Sequence, residues 1–281
     1  MSTPAKPIDY LVIGHITADL LPDGSVQPGG TALYAALTAH RLGLRTAILT
    51  ACAPELDLGW LPPELQLLRK PAVESTTFSN RYSGQRRTQY LLHQAQPISL
   101  EWLPAEWEQP AIVHLGPVDQ EVPMVARHFP KALVGATPQG WLRGWEADGK
   151  VWLQPQILKE LDLRAIRVLV LSEEDIEGDE TIIEELIGRV PTVVLTRAER
   201  GATTWQAGQR FDVPAFPTTV VDPTGAGDVF AAAFFMAMWQ NKAVEVATRW
   251  ANATASFSIA GQGTNALPTM DEVVRRMAAE Y

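Results

Sequence analysis

Residues 220–233 read Val-Val-Asp-Pro-Thr-Gly-Ala-Gly-Asp-Val-Phe-Ala-Ala-Ala and join a β-type run to a helix of small residues through a glycine-rich turn. Gly225 and Gly227 let backbone N–H groups approach a ligand closely. The first amides of the helix carry partial positive charge, so the turn is predicted to bind an anion such as phosphate. Asp228 alone could be a helix-stabilising carboxylate worth about 0.3–1 kcal/mol. That role does not explain the two glycines and Asp222, so a functional interpretation is favoured.

The segments before this turn are short apolar runs that alternate with helix-like stretches. The runs occupy residues 10–14, 46–51, 112–115, 132–135, 168–171 and 192–196. The helix-like stretches occupy residues 31–42, 122–129, 156–161 and 179–187, and three further helices are expected at 225–241, 243–259 and 270–281. Nearly continuous apolar runs are typical of parallel strands that are covered on both faces. The alternation therefore predicts an α/β fold with a doubly wound sheet.

Two segments interrupt the alternation and are predicted to be antiparallel hairpins. The first, at about residues 74–95, is too polar for a central strand pair and is expected to project from the sheet as a small β-hairpin lid. The second joins residues 201–205 to residues 210–216. Because the sequence has no internal repeat and no convincing linker, residues 1–281 are predicted to form a single domain.

Charge and hydropathy exclude several kinds of partner. The chain has 281 residues, 46% of them hydrophobic, and a formal net charge of −9. A sequence-independent nucleic-acid binder needs a basic face, so no nucleic acid is expected. The longest apolar run covers residues 229–239. It is shorter than the roughly 20 residues that cross a bilayer, so no membrane is expected either. The start of the chain shows no secretory signal, and a cytoplasmic location is predicted.

Cysteines and histidines give no metal or redox motif. Cys52 is the one cysteine, which excludes an intrachain disulfide and a CxxC metal site. The 5 histidines show no ligand spacing. Residues 261–266 match a G-x-G-x-x-A pattern but follow a helix instead of a strand, which disfavours a dinucleotide site. The sequence also has no Walker-type phosphate loop.

The segment from Asp222 to Asp228 resembles the C-terminal signature D-[TP]-T-G-A-G-D of the ribokinase/PfkB family of carbohydrate kinases, and it matches that signature completely. The resemblance implies that Asp228 is the general base that takes the proton of the acceptor hydroxyl. It also implies that the amides of Gly225, Ala226 and Gly227 stabilise charge on the transferred phosphoryl group. These roles suit phosphoryl transfer, which depends mainly on positioning and charge stabilisation.

The resemblance continues near the start of the chain. Gly14-His-Ile-Thr-Ala-Asp19 is similar to the family's G-x(4)-D, in which the aspartate binds acceptor hydroxyls. Gly29 and Gly30 are similar to its glycine pair at a helix start. The resemblance therefore implies that Asp19, Gly29 and Gly30 bind the acceptor. Many members have Asn where this chain has Tyr34, so one acceptor contact is expected to be lost or replaced.

Two motifs on the donor side depart from the family pattern. The family's N-x-x-E, which organises the Mg²⁺ shell, reads Ser172-Glu-Glu-Asp175 here. Asp175 is expected to orient waters on Mg²⁺, and Ser172 to donate a hydrogen bond on the nucleotide side. The family's T-x-G-x-x-G reads Thr196-Arg-Ala-Glu-Arg-Gly201, with alanine in place of one glycine. By resemblance, Thr196, Gly201 and Asn252 also line the nucleotide side.

Further acceptor contacts are expected from the middle of the chain and from the lid. The family's D-P-N/Q followed by Arg reads Thr-Pro-Gln139-Gly-Trp-Leu-Arg143, with threonine in place of the aspartate. Gln139 and Arg143 are therefore expected on the substrate side. In the lid hairpin, Asn80, Arg87 and Gln89 alternate with apolar neighbours and are expected to face the acceptor.

The sequence therefore predicts a ribokinase-like kinase that uses ATP and Mg²⁺ to phosphorylate an alcohol group of a small polyol or sugar. The short connection between Asp19 and Gly30, the aromatic residue 34 and the polar hairpin resemble most the branch that includes myo-inositol kinases. A nucleoside kinase of the same fold remains an alternative. The departures at Ser172 and elsewhere also leave open a non-catalytic nucleotide-binding regulator. A monomer and a homodimer are both compatible with the sequence.

Overall fold

The computed structural model describes residues 7–83 and 86–279, leaving aside the side chains of residues 82, 83, 86 and 87. The strands of the first half are β1 (Tyr10–Ile13), β2 (Thr17–Leu20), β3 (Val26–Gly29), β4 (Thr46–Cys52), β5 (Gln66–Pro71), β6 (Thr77–Ser83), β7 (Arg86–His93) and β8 (Ile112–Leu115). Those of the second half are β9 (Leu133–Ala136), β10 (Arg143–Trp145), β11 (Val151–Leu153), β12 (Val168–Ser172), β13 (Thr192–Thr196), β14 (Ala202–Gln206) and β15 (Gln209–Val213). The helices are α1 (Thr31–Arg41), α2 (Gln139–Leu142), α3 (Thr181–Ile187), α4 (Ala226–Trp239), α5 (Val244–Ser258) and α6 (Met270–Ala278).

The main sheet has the strand order β15-β14-β13-β12-β9-β8-β1-β4-β5. Pairing is parallel from β5 to β13 and antiparallel along β13, β14 and β15. From β1 the chain first builds outward through β4 and β5, and then returns to add β8 on the other side. In open α/β sheets, ligands bind at the carboxyl ends of the strands where the order reverses. The topology therefore places the expected site at the ends of β1 and β8.

Buried apolar side chains cover both faces of this sheet, which confirms the predicted doubly wound α/β class. On one face, α1, α4 and α5 contribute residues such as Leu33, Phe234 and Ala251. On the other face, Leu158 and Leu186 belong to a second cluster. In the described part of the chain, no helix is both long enough and apolar enough to cross a membrane.

A smaller sheet, here called the lid sheet, has the order β3-β2-β6-β7. The predicted lid hairpin corresponds to its strands β6 and β7, which pair antiparallel. A second hairpin, β2 and β3, extends it through parallel pairing of β2 with β6. Sequence analysis did not predict that hairpin. Phe78 and Leu91 of the lid sheet pack against Val118, which follows β8. The lid sheet is thus fixed beside the end of the main sheet.

Several predicted elements differ from those in the structure. Helices were expected at 122–129 and 156–161, but the structure has only the short 3₁₀ turns Ala126–His128 and Pro155–Lys159. Pro123 and Pro130 bracket the first of these segments and restrict its length, because proline interrupts a helix and disfavours helical backbone before it. Strand β5 was missed because it is a polar edge strand. The expected end of the last helix, residues 280–281, lies outside the described residues.

Candidate active site

The glycine-rich turn leads directly into α4, whose first amides have no acceptor within the helix. Gly225 has a φ of 75°, and a Cβ there would come within 3.0 Å of the Tyr34 ring. The Ala226 amide already donates to a backbone carbonyl at 3.2 Å. A Cβ on Gly227 would meet nothing within 4 Å. The packing of the chain itself therefore requires the first glycine, whereas the second leaves open space that a ligand could occupy.

The Asp222 carboxylate stabilises this turn through hydrogen bonds. It accepts hydrogen bonds from the Thr224 amide and from the Gly263 amide, both at 3.0 Å. Burial alone would raise the pKa of Asp222, but these hydrogen bonds outweigh it and hold the pKa below the ordinary value. Asp222 therefore has a structural role, because it joins the turn to the segment after α5.

Asp228 lies half-buried in the first turn of α4. It is the last residue of the glycine-rich turn that we call the cradle (residues 225–228). Burial raises the pKa of Asp228 to about 6, and the nearby Asp175 carboxylate adds to this rise. The Thr31 hydroxyl and the Arg143 guanidinium oppose it. A carboxylate with this pKa is ionised at neutral pH and is a stronger base than an ordinary aspartate.

The glycine pair makes room for Asp19 instead of supplying contacts of its own. A Cβ on Gly29 would come within 3.0 Å of the Asp19 carboxylate, and the Thr17 hydroxyl donates to that carboxylate at 3.0 Å. Gly30 has a φ of 87° and starts α1, where a Cβ would crowd the His15 carbonyl. Both glycines are therefore needed for the chain to pass close to the strand that carries Asp19.

Tyr34 is the residue around which the acidic side chains gather. Its side chain is buried on α1, and burial raises the pKa of its hydroxyl. The carboxylates of Asp222, Asp19 and Asp228 raise this pKa further. The structure thus brings Asp222 and Asp228 of the signature, and Asp19 of β2, near one aromatic ring.

A chain of hydrogen bonds links the acceptor side to the expected metal side. Arg143 is buried and donates to the Gln139 side-chain carbonyl at 2.8 Å. The Gln139 amide donates in turn to Asp175 at 3.2 Å. Arg143 also donates to the Val118 carbonyl at 2.7 Å. The structure therefore brings Gln139, Arg143 and Asp175 together, as residues at adjacent strand ends should be.

Asp175, which is expected to orient metal-bound water, has a carboxylate held by hydrogen bonds. It is buried, and one oxygen accepts from the Ser172 amide at 2.7 Å and from the Ser172 hydroxyl at 2.8 Å. The other oxygen faces Gln139. A cleft of about 220 Å³, here called the polar cleft, is lined by Thr88, Gln89, Gln139, Arg143, Lys150, Val151, Trp152, Leu153, Glu174 and Asp175. Its two carboxylates offer the oxygen ligands that hydrated Mg²⁺ accepts, so this residue set fits that ion.

On the nucleotide side, the structure places Gly201 and Asn252 against one segment, the chain just after β15. The Asn252 amide donates to the Val213 and Pro214 carbonyls, both at 3.1 Å. Gly201 has a φ of 91°, and a Cβ there would collide with the same segment. Thr196 donates to the Leu171 carbonyl at 3.2 Å. These three residues therefore shape the backbone of this side, and each has contacts within the protein.

Ala198 stands where the family has a glycine, and its backbone adopts a conformation that favours glycine. Ala198 has a φ of 49°, in the left-handed region. A side chain there costs roughly 1–2 kcal/mol relative to right-handed backbone. The flanking Arg197 donates to Glu173 at 2.5 Å and to Glu180 at 2.7 Å. Arg200 also pairs with Glu173.

A second cleft, of about 510 Å³, lies beside this ion-pair network. It is lined by Glu180, Arg197, Arg200, Ala202, Thr203, Arg210, Asp212, Val213 and Pro214. Each of its arginines pairs with a carboxylate, since Arg210 contacts Asp212 at 3.0 Å. The cationic charge is therefore already balanced, which disfavours this cleft as a phosphate site.

The lid residues lie on the face that packs toward the end of the main sheet. Asn80 and Gln89 are opposite each other on β6 and β7, with the Gln89 amide donating to Asn80 at 3.2 Å. They alternate with residues of the outer face and share a face with the buried Phe78, whose ring lies 4.9 Å from the Arg143 guanidinium carbon. Arg87 pairs with Tyr82 in the strand register, but its side chain lies outside the described residues.

Sequence reasoning missed several residues of the site. Thr31, which contacts Asp228, directly follows the glycine pair, and its position at a helix start next to a candidate acceptor site could have identified it. Lys150 and Trp152 belong to the β10–β11 hairpin, which meets the lid through a bridge between Tyr90 and Lys150. Only the tertiary pairing reveals these two, because the hairpin has no motif of its own.

Known proteins resemble this chain in sequence and in fold. The family model described as "pfkB family carbohydrate kinase" matches residues 160–270. A 2-dehydro-3-deoxygalactonokinase of Haloferax volcanii is 38% identical over 119 residues, which are 39% of this chain and 37% of that protein. A cytidine kinase of Thermococcus kodakarensis is 23% identical over 262 residues, which are 86% of this chain and 92% of that protein.

A solved structure has the same architecture over nearly the full length. It is a pyrophosphate-dependent kinase in the ribokinase family complexed with a pyrophosphate analog and myo-inositol. Its TM-score to this chain is 0.77 at 22% identity, covering 95% of this chain and 99% of that one. At this identity the likeness establishes the fold and nothing finer.

Proposed function

We propose that the chain is a member of the ribokinase/PfkB family of carbohydrate kinases, and that it transfers a phosphoryl group from ATP to an alcohol group of a small polyol or sugar. The observation that carries this proposal is the position of Asp228 in the first turn of α4. There a partly desolvated carboxylate adjoins an open cradle of helix-start amides. A base beside an anion site is the arrangement that phosphoryl transfer to an alcohol requires.

In the proposed reaction, the acceptor hydroxyl donates its proton to the Asp228 carboxylate as its oxygen attacks the terminal phosphorus of the donor. The bond from that phosphorus to the bridging oxygen breaks, and ADP leaves with the bonding electron pair. The amides of Gly227 and Asp228 stabilise the charge that develops on the phosphoryl oxygens. Asp19 holds the acceptor from the opposite side. Magnesium, held through water by Asp175, would neutralise charge on the donor phosphates.

A small hydroxyl-rich acceptor is favoured over a nucleoside. Asp19, Asn80 and Gln89 offer carboxylate and amide groups, which match the hydrogen-bonding pattern of polyol hydroxyls. A nucleoside kinase remains the second candidate because the Thermococcus kodakarensis relative is described as a cytidine kinase.

Pyrophosphate is the second candidate donor. The solved structure with a similar fold is described as pyrophosphate-dependent. In this chain the phosphate-binding half of the donor side, the cradle with Ser172 and Asp175, is open at Gly227. On the nucleoside half, the Asn252 amide is occupied by two backbone carbonyls. Pyrophosphate would require only the open half.

A screen of donors against acceptors tests the proposal. Purified protein is incubated with Mg²⁺ and with ATP or pyrophosphate, each paired with myo-inositol, ribose, other polyols and sugars, or cytidine and adenosine. Phosphorylated product is detected by ³¹P NMR and mass spectrometry. The proposal expects one donor and a polyol or sugar to give product that Asp228→Asn does not form. Phosphorylation of nucleosides alone would favour the nucleoside kinase. Tight ATP binding with no product across the panel would favour the regulator.

A further inference from the structure

His15 lies fully buried between the two roots of the lid hairpin. Its Nδ1 atom is 2.8 Å from the Thr76 hydroxyl, which directly precedes β6. Its Nε2 atom is 3.1 Å from the Gln96 carbonyl, which follows β7. One imidazole ring therefore contacts the chain where it enters the hairpin and where it leaves it.

Counting the protons of this network indicates that His15 is an imidazolium. The Gln96 carbonyl can only accept, so Nε2 carries a proton. The Thr76 hydroxyl donates its one proton to Asp119 at 2.9 Å and accepts from the Ala95 amide at 3.1 Å. With that proton committed, Nδ1 must also be a donor. Both ring nitrogens are then protonated.

The opposite assignment would leave a buried carboxylate without support. If the Thr76 hydroxyl donated to His15, Asp119 would lose this donor. The second oxygen of Asp119 has no hydrogen bond in the described part of the chain, and it lies 3.4 Å from His15 Nδ1. A buried carboxylate without a donor or a countercharge is costly. The imidazolium supplies both, so the ion pair of His15 and Asp119 is favoured.

Glu121 is the second carboxyl group of this cluster. Its carboxylate accepts from the amides of His15, Val118 and Asp119, each at 2.9 Å. Burial raises the pKa of Glu121 to about 7. Burial alone would lower the pKa of His15, but Asp119 and Glu121 outweigh it and raise that pKa. Asp119 and Glu121 are the two charged groups that act on the imidazole among the described residues.

We propose that His15, as an imidazolium paired with Asp119, is a positioning residue that fixes both roots of the lid to the start of β2, the strand that carries Asp19. His15 is followed by β2, whose Ala18 amide donates to the Thr76 carbonyl at 2.8 Å. Asp119 lies next to Val118, which accepts from Arg143. The ion pair thus joins the start of β2, the lid and Arg143, which lies near Asp228. The catalytic consequence rests on the proposed function, whereas the protonation state does not.

His15, Asp119 and Glu121 also have the ligand types of a metal centre, with ligand atoms within 4.8 Å of one another. Three contacts disfavour a metal ion. Both His15 nitrogens are engaged, and the Glu121 oxygens are taken by backbone amides. A proton between these groups satisfies them without an ion, so the metal becomes an outcome of the test.

The protonation state is tested on the wild-type chain by ¹⁵N NMR of labelled histidine at pH 7.5. The proposal expects His15 to show two protonated ring nitrogens, and Asp119→Asn to convert it to a neutral ring. A neutral His15 in the wild-type protein overturns the proposal, whatever the enzyme activity. A bound equivalent of divalent metal that is lost in His15→Gln, measured by elemental analysis, overturns it as well.

The positioning role is tested by His15→Gln and Asp119→Asn. Each variant should raise the acceptor KM at least about tenfold with the donor KM unchanged. Each should also speed hydrogen exchange of the Ala18 and Ala95 amides. His93→Gln is the matched control, because His93 lies at the same end of the lid hairpin but its exposed side chain pairs with Glu74 at 2.9 Å and does not contact the His15 network. Unchanged exchange in both variants overturns the positioning role, and this readout works even if no substrate is found.

Discussion

The ring of Tyr34 packs directly against the backbone of Gly225, so closely that a Cβ on Gly225 would come within 3.0 Å of three ring atoms. Tyr34 is buried on α1, and Gly225 has a φ of 75° at the N-terminus of α4. The contact joins the helix after the glycine pair to the helix after the signature turn. It fixes the position of the cradle relative to the acceptor side.

The first prediction follows from this contact. Gly225→Ala should destabilise the protein by roughly 1–3 kcal/mol, because the methyl group collides with a buried ring and the backbone is left-handed. The readout is the midpoint of urea unfolding. Adding Tyr34→Ala should restore part of the lost stability, since the two residues are in contact and their effects are coupled. Equal loss with and without Tyr34 would contradict the packing argument.

Gly227→Ala is predicted to have opposite effects on stability and activity. A Cβ at this position meets nothing within 4 Å, and alanine in a helix is more favourable than glycine by about 0.5–1 kcal/mol. The unfolding midpoint should therefore stay the same or rise. The same methyl group occupies the open space of the cradle, so kcat/KM should fall at least about 10²-fold. A variant with both stability and activity intact would remove the cradle from the mechanism.

The pH dependence of activity should report Asp228. Its pKa is raised to about 6, and a general base acts in its ionised form, so kcat/KM should rise with pH through about 6 and then level off. Asp228→Asn should lower kcat by about 10²- to 10⁴-fold and abolish this rise, with donor binding little changed. Turnover near the wild-type rate in this variant would exclude Asp228 as the base.

Stability should change with pH in the opposite direction. Because the pKa of Asp228 is higher in the folded protein than in the unfolded chain, folding favours its protonated form, and this contribution is lost as pH rises from about 4 to 6. Asp228→Asn should therefore have a higher unfolding midpoint than the wild type at pH 7.5. The advantage should shrink toward pH 4. A variant that is less stable at both pH values would contradict the desolvation of Asp228.

The sequence predicted the parts of the molecule that depend on local pattern. The continuous apolar runs identified the central strands, and the glycine-rich turn correctly predicted the start of α4. Strands β2 and β3 were not predicted because their residues are polar and their pairing partner, β6, is distant in sequence. The network of His15 with Asp119 was also beyond reach, because no spacing rule joins residues that only the folded lid brings together.

Gln139 is predicted to affect magnesium binding through its contact with Asp175. It bridges Arg143 and Asp175, so Gln139→Leu removes the hydrogen bond that orients the Asp175 carboxylate. Loss of such an outer partner typically costs about 10- to 100-fold in metal affinity. The Mg²⁺ concentration for half-maximal activity should rise accordingly. Gln206→Leu is the control, since Gln206 donates to Thr192 away from the site. Equal Mg²⁺ dependence in both variants would contradict the bridge.

The last prediction concerns the inner face of the lid sheet. Gln89 lines the polar cleft and donates to Asn80 across the strand pair at 3.2 Å. Removing both amides by Asn80→Ala with Gln89→Ala should raise the acceptor KM about tenfold, because the acceptor loses its contacts and its orientation, while the donor KM stays the same. The control is Arg81→Ala, whose guanidinium carbon lies 4.2 Å from the centre of the Tyr90 ring. Residue 81 alternates with residue 80 along the strand and belongs to the other face. If both variants behave alike in acceptor kinetics, the lid does not contact the acceptor, and these polar residues serve the sheet alone.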